Sequence, residues 1–464
     1  MVEVLGIETP SLGDRSYLAH DGNVAVVIDP QRDTDRITAL AERQGVRITH
    51  VAETHIHNDY VSGGLALSRA AGAAYLVNAA DPVGFAREPV SDGDTVDIGA
   101  ALRLRVLATP GHTFTHLSYV LEAGGDVPGA FTGGSLLFGS TGRPDLLGPA
   151  NTPALARAQY ASAHRLARDL PDSAEIFPTH GFGSFCAATQ AQAASSTIGR
   201  EKQLNPALAL GERAYVETLL AGLDAYPAYY ARMGPANLAG PGGPDLSPPS
   251  LAGAAEIRRR LESGEWVVDL RDRVAFAAGF VPGCFSFPLD GSFASYLGWV
   301  LPGGTPVTLL GETCGQVAQA QRELVRIGID RPAAAATGQP EQWAAGGPLA
   351  SLRRATVGDL AAAGRVGDSQ NLVVLDVRRQ MEWDHGHVAN AIHIPFSDLP
   401  GRAGEIPPGE VWVYCHSGYR AMVAASMLAA AGRHVISIDD EFGQADGARL
   451  PLARPAALPK EMSR

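Results

Sequence analysis

AETHIHNDYVSGG, residues 52–64, crowds His55, His57 and Asp59 into five positions directly after an apolar run, RITHVAET. A strand-end loop is where α/β folds assemble their sites. Imidazole suits zinc or iron and a carboxylate adds a hard anionic ligand, but one loop supplies only part of a metal's shell. Two further segments repeat the pattern. LATPGHTFTHLSY places His112 after another apolar run and a Pro-Gly turn, and IFPTHGFGS places His180 in the same relation to a third. Three strand-end histidine loops point to a metal site built from His55, His57, Asp59, His112 and His180. His20, His116 and His164 read as ordinary hydrogen-bonded residues.

Around these loops, short apolar runs such as VAVVID and LRLRVLATP alternate with Ala-rich helical stretches, and Gly or Pro marks the turns. The fold class is therefore α/β. Residues 1–240 form a first domain whose end, 201–240, is a helical extension. Its aromatic stretch LDAYPAYYARM (223–233) suits a homodimer contact, a lid over the metal face or an ordinary packed helix pair. GPGGPDLSPPS (240–250) is too rich in Pro and Gly to pack as helix or strand and reads as a linker.

Beyond the linker the chain repeats itself. WVVDLRDRVAFAAGFVPGCFSFPL (266–289) aligns with LVVLDVRRQMEWDHGHVANAIHIPF (372–396), pairing Asp269 with Asp376, Arg271 with Arg378 and Pro288 with Pro395. Self-similarity of this kind indicates two copies of one fold, here 251–345 and 352–455. VTLLGETCGQVAQAQRELVRIG and VWVYCHSGYRAMVAASMLAAAG then match as a strand, a short polar loop and an amphipathic helix, a junction where unpaired backbone N–H groups converge on an anion. In the second copy the loop is Cys415-His416-Ser417-Gly418-Tyr419-Arg420. In the first, Gly311 stands in the cysteine's place and Gln316 in the arginine's. A cysteine among such donors, beside an arginine, is expected to ionise readily and to carry sulfur as a persulfide. Cys186, Cys284 and Cys314 read as structural thiols.

Composition narrows the partners. The chain has 464 residues and a formal charge of −12, which argues against binding that depends on neutralising phosphates. No apolar run approaches the roughly 18 residues of a membrane span. Four dispersed cysteines are too few for a disulfide framework in a chain this long. A cytoplasmic protein acting on small molecules, without nucleic-acid or membrane partners, is the expectation.

Residues 250–455 resemble two tandem rhodanese domains, sulfurtransferases whose loop cysteine carries sulfane sulfur. The resemblance implies that Cys415 is the carrier, that Arg420, His416, Ser417, Gly418 and Tyr419 form the anion cradle, and that the first copy is silent. Residues 1–200 resemble the metallo-β-lactamase fold, an αββα sandwich. THIHNDYVSGG, TPGHTFTHLSY, GSTGRPDLLG and PTHGFGSFC stand in the order of its persulfide dioxygenase branch, which is fused to rhodanese domains. That branch uses mononuclear Fe(II), with zinc the alternative metal here, and oxidises glutathione persulfide or a similar persulfide with O₂ to sulfite. The neighbouring rhodanese handles thiosulfate or persulfide. Two residues depart from the family pattern. Tyr60 replaces the last histidine of H-x-H-x-D-H, and Phe131-Thr132-Gly133-Gly134 places Gly134 where the family has its ligand aspartate. Three outcomes stay open: His57 completes a three-histidine set with His55 and His112, Asp59 supplies the carboxylate, or the domain is a metal-free scaffold beside a working rhodanese. Thioester hydrolysis of the glyoxalase II type is a further alternative. Arg143 is placed to meet a substrate carboxylate or to pair internally with Asp145.

Overall fold

The first of two compact units, Met1–Leu246 with Arg322–Asp330, is organised by strand periodicity. The computed structural model describes residues 2–187, 194–365 and 372–453. One sheet contains, in spatial and chain order, β1 (Glu3–Thr9), β2 (Asp14–His20), β3 (Val24–Ile28), β4 (Arg47–Ala52), β5 (Ala74–Asn78) and β6 (Glu88–Val90). β1 to β3 pair antiparallel and β3 to β6 parallel. The second sheet runs β11 (Glu175–Pro178), β10 (Asp126–Gly133), β9 (Leu117–Ala123), β8 (Arg103–Ala108) and β7 (Thr95–Asp97), with only β10 and β11 parallel.

Side chains alternate between faces along each strand, and the apolar residues follow. Val26 and Ile28 of β3, Leu104 and Val106 of β8, and Leu117, Tyr119 and Leu121 of β9 meet in the core between the sheets. The intervening Ala25 and Val27 face the other way and pack with Ile37 and Ala41 of α1 (Asp35–Gln44) and Leu65 and Leu67 of α2 (Gly64–Ala71). Val120 of β9 faces Ala156, Ala163 and Leu166 of α3 (Thr152–Asp169). The layers are therefore helix, sheet, sheet, helix, the αββα sandwich expected. Each fully buried large aliphatic side chain contributes about 1.5–3 kcal/mol. The loops after β4, β8, β10 and β11 carry His55, His112, Gly134 and His180.

The extension after β11 is helical at Ile198–Leu204, Pro206–Ala209, Glu212–Ala221 and Tyr230–Ala239. Tyr229, Tyr230 and Met233 of this extension are buried. Residues 240–250 contain neither helix nor strand.

The second unit, Ser247–Gln321 with Arg331–Arg464, holds two all-parallel sheets and a short antiparallel pair, His387–Val388 with Leu452–Ala453. One runs Phe285–Ser286, Trp266–Asp269, Val307–Gly311, Ala334–Thr337. The other runs Arg353–Ala355, Val435–Ile438, Glu410–Tyr414, Leu372–Asp376, Ile392–His393. The repeat extends to individual bonds. Arg271 clasps Asp269 (Nε–Oδ1 3.0 Å) and donates to the carbonyl of Gly279 at 2.8 Å, while Arg378 clasps Asp376 (3.0 Å) and donates to the carbonyl of Gly386 at 2.8 Å. Both carboxylate–guanidinium pairs are buried and close the strand-to-helix turn of their lobe. No helix among the described residues is long and apolar enough to cross a membrane.

Candidate functional site

The loop between β4 and α2 is held from below by Asp29, the residue after β3. Asp29 adopts a left-handed backbone (φ 49°) and accepts hydrogen bonds from the amide and the hydroxyl of Thr54, each at 2.7 Å. From the side, Asn237 of the helical extension donates to the carbonyls of His57 and Tyr60 at 2.8 Å and accepts from the amide of Ser62 at 2.8 Å. The loop that carries the metal candidates is thus fixed by polar bonds from two distant segments.

Donor atoms of His55, His112 and His180 all lie within 4.8 Å of one another. Each ring has its Nδ1 engaged outside the cluster. His55 Nδ1 is 2.9 Å from the Thr54 hydroxyl, His112 Nδ1 is 2.9 Å from the carbonyl oxygen of Arg143, and His180 Nδ1 is 2.9 Å from Asp14 Oδ1. The Nε2 atoms are left for the centre: those of His55 and His180 stand 3.3 Å apart, and that of His112 is buried without a hydrogen-bond partner. Outer partners that orient histidines in this way are characteristic of metal ligands. A buried polar nitrogen without a partner costs about 1–3 kcal/mol, a cost that coordination would remove. The donor set therefore fits a divalent transition metal.

His57 is placed differently from the other three. Its Nε2 faces Glu53 (3.1 Å), Asp29 (3.3 Å) and the Tyr60 hydroxyl (3.0 Å), while its buried Nδ1 has no partner and suits a fourth donor. Burial opposes a charge on His57, but Asp29 and Glu53 outweigh it and push its pKa up to about 9. His112 is pushed down to about 3 by burial and by His180, and burial with the neighbouring histidines holds His55 well below its usual range. On His180, burial is outweighed by Asp59 and Asp14, which raise its pKa to about 10.

Asp59 Oδ2 lies 3.1 Å from His180 Nδ1, and its Oδ1 is buried without a partner. It also falls with His57 and His180 in a second potential ligand group. Tyr60, where the family pattern has a histidine, stacks on His57 at 4.3 Å and donates its hydroxyl to the carbonyl of Asp29. At Gly134 the space for the aspartate side chain is gone. A Cβ built there would stand 2.4 Å from Cδ2 of His112, and one on Gly142 would stand 2.7 Å from Nδ1 of the same ring. The His112 imidazole is slotted between two glycines.

Arg143 is not free to meet a substrate carboxylate. Its guanidinium forks onto Asp145 at 2.7 and 2.8 Å, donates to the carbonyls of Phe185 and Asp224, and lies over the Tyr226 ring. The internal pair with Asp145 is the arrangement present, and Arg143 reaches the histidine cluster through its carbonyl.

In the second unit, Cys415 directly follows strand Glu410–Tyr414 and is buried, and the amide of Gly418 donates to its Sγ at 3.2 Å. Gly418 has φ 92° and precedes helix Tyr419–Ala430. A Cβ there would meet Asp439 Oδ1 at 2.4 Å, so glycine is required twice over. Ser417 is half-buried and His416 exposed, while the Tyr419 hydroxyl donates to the carbonyl of Pro288. Arg420 is buried and forks onto Glu382 at 2.6 and 2.7 Å, and it stays within electrostatic reach of Cys415. In the other lobe, Gln316 folds back so that its Oε1 accepts from the amide of Glu312 at 2.7 Å. That places it 3.3 Å from where a Cβ on Gly311 would stand.

Asp14, Asp29, Glu53, Arg143 by its carbonyl, Asn237 and Glu382 are the supporting residues that sequence reasoning missed. The one available signal was the clustering of Asp14 and Asp29 at the ends of neighbouring apolar runs.

Residues 14–180 match the metallo-beta-lactamase superfamily model and residues 361–443 the rhodanese-like domain model. The mitochondrial persulfide dioxygenase ETHE1 of Homo sapiens is 31% identical over 210 residues, 45% of this chain and 74% of that protein. Hydroxyacylglutathione hydrolase of Polaromonas sp. is 33% identical over 34% of this chain and 57% of that one. A solved metallo-beta-lactamase from Staphylococcus aureus subsp. aureus COL is 29% identical and covers 73% of this chain and 99% of its own, with a TM-score of 0.65. The histidine loops after β4, β8 and β11, the match to ETHE1 and the separate rhodanese-like match together show that the chain belongs to the persulfide dioxygenase family of the metallo-β-lactamase superfamily, fused to a C-terminal rhodanese-like domain.

Proposed function

We propose that this chain oxidises a low-molecular-weight persulfide at a metal held by His55, His112 and His180, with His57 as a fourth donor, and transfers sulfane sulfur through Cys415. The observation that carries the first half is the outward engagement of all three Nδ1 atoms, by Thr54, Arg143 and Asp14, which leaves three Nε2 atoms for one ion. A bound Fe(II) supplies the redox chemistry with O₂ that dioxygenation requires; zinc would supply only Lewis acidity. The overall change is persulfide, O₂ and water giving thiol, sulfite and two protons.

The chain's own residues set the conditions for that change. Burial keeps His55 and His112 neutral and therefore able to ligate, whereas His57 and His180, raised by their neighbouring carboxylates, would each release a proton on binding a cation. A histidine in place of the family carboxylate leaves a bound divalent ion more positive, which favours an anionic persulfide as the incoming ligand. Burial of the four histidines also excludes bulk water from the reacting sulfur. At the second site, the strand-to-helix junction and the Gly418 amide hold Cys415 as nucleophile for thiosulfate or a persulfide. The silent lobe is read as a rhodanese copy that lost its cysteine, and the domain limits 1–240, 251–345 and 352–455 follow from that reading.

Oxygen uptake on glutathione persulfide, before and after chelator treatment, tests the first half. Uptake that vanishes on chelation and returns with Fe(II) supports it, and hydrolysis of a glutathione thioester without uptake would replace it. Loss of thiosulfate sulfurtransferase activity in Cys415→Ser tests the second.

A further inference from the structure

Arg420 is buried and its two terminal nitrogens are engaged by both oxygens of Glu382, so it offers a doubly negative sulfur donor a partly neutralised charge. A second cation faces the Cys415 loop, and the cysteine-less lobe supplies it. Arg273, in the helix that follows the Asp269–Arg271 turn, lies against the loop: its Nε is 3.4 Å from the position of a Cβ on Gly418, whose amide donates to Cys415 Sγ.

We propose that Arg273 of the cysteine-less lobe receives the anionic end of the sulfur donor at Cys415, so that this lobe completes the transfer site. The proposal rests on the sulfurtransferase reading of Cys415. Three features support it. Asp439 fixes Arg273 by its Nε alone, and the terminal nitrogens make no hydrogen bond among the described residues. Asp439 is shared with Arg354, which binds its other oxygen at 2.7 Å, so no carboxylate forks onto Arg273. Asp290 is near enough to interact with Arg273 electrostatically but makes no hydrogen bond to it. The same lobe also clamps the loop. Tyr296 packs on Tyr419 at 5.1 Å and on Phe396 at 5.8 Å, and Pro288 accepts the Tyr419 hydroxyl.

In the transfer, the Cys415 thiolate attacks the sulfane sulfur of thiosulfate. A new S–S bond forms, the original S–S bond breaks, and sulfite leaves with the electron pair, so no outside oxidant or reductant is needed. Arg273 meets the sulfonate oxygens, whose charge rises as sulfite departs.

Steady-state transfer from thiosulfate to cyanide by the full chain tests this in Arg273→Gln, Arg273→Lys and Cys415→Ser. The expected result is a KM for thiosulfate raised about tenfold in Arg273→Gln with kcat within about twofold, and recovery of most of that loss in Arg273→Lys. With glutathione persulfide, which lacks the sulfonate, the shift in KM should be smaller. An unchanged KM in Arg273→Gln beside an inactive Cys415→Ser overturns the role of Arg273 and leaves the cysteine's intact. Equal losses with both donors and no rescue by lysine reduce Arg273 to a structural residue and also overturn it. An active Cys415→Ser removes the sulfurtransferase reading itself.

Discussion

His112 and Gly134 are in contact so close that no side chain fits between them: a Cβ on Gly134 would stand 2.4 Å from the ring's Cδ2 and 3.0 Å from its Nε2. The residue that replaces the family's aspartate is therefore the one that lets the imidazole take its place. Restoring Gly134→Asp should not rebuild a two-histidine, one-carboxylate site, because the new side chain displaces His112. Overpacking of this kind costs about 1–3 kcal/mol, so both Gly134→Ala and Gly134→Asp should lower the melting temperature and the bound metal together. A Gly134→Asp variant with full metal and unchanged stability would contradict this packing.

Asp14 acts through His180. Its carboxylate sits 2.9 Å from Nδ1 and directs Nε2 towards His55. Asp14→Asn should weaken metal affinity by about 10–100-fold, measured by competition with a chromophoric chelator, while thiosulfate transfer at Cys415 stays at the wild-type rate.

The strand-end histidines were legible because each follows an apolar run and a turn, a local pattern. Their partners were not, because they act over long sequence separations. Asp14 meets His180 across 166 positions, Asn237 meets His57 across 180, and Glu382 meets Arg420 across 38. For the same reason the sequence left open whether His57 or Asp59 completes the set with His55 and His112; in the structure His180 groups with those two, and the Nε2 of His57 faces Asp29 and Glu53. The matched Asp269–Arg271 and Asp376–Arg378 turns were legible, since each pair is local. The arginine shared between the two lobes was not.

Gly418→Ala should abolish transfer selectively. Its φ of 92° and the 2.4 Å approach to Asp439 force the loop to move, and displacement of the Cys415 amide partner by about 1 Å costs on the order of 100-fold in rate. Metal content of the first unit should be unchanged.

Glu382 gives the rhodanese-like domain an acid-sensitive element. Burial favours its neutral form, but the Arg420 fork outweighs this and lowers its pKa to about 2 from an unfolded value of 4.5. A depressed carboxylate contributes stability that is complete above the unfolded pKa and is lost as pH falls through the folded one. Denaturant unfolding between about pH 4.5 and 2 should therefore show falling stability, and Glu382→Gln should flatten the profile in that window. An identical profile in the variant would place the acid sensitivity elsewhere.

Metal analysis of chain purified without chelator, compared among wild type, His55→Ala, His112→Ala and His180→Ala, tests the three-histidine centre most directly. Near-stoichiometric metal in the wild type, lost in all three variants, is the predicted result. Full occupancy in His180→Ala, or a metal-free wild type that does not take up Fe(II), would contradict it.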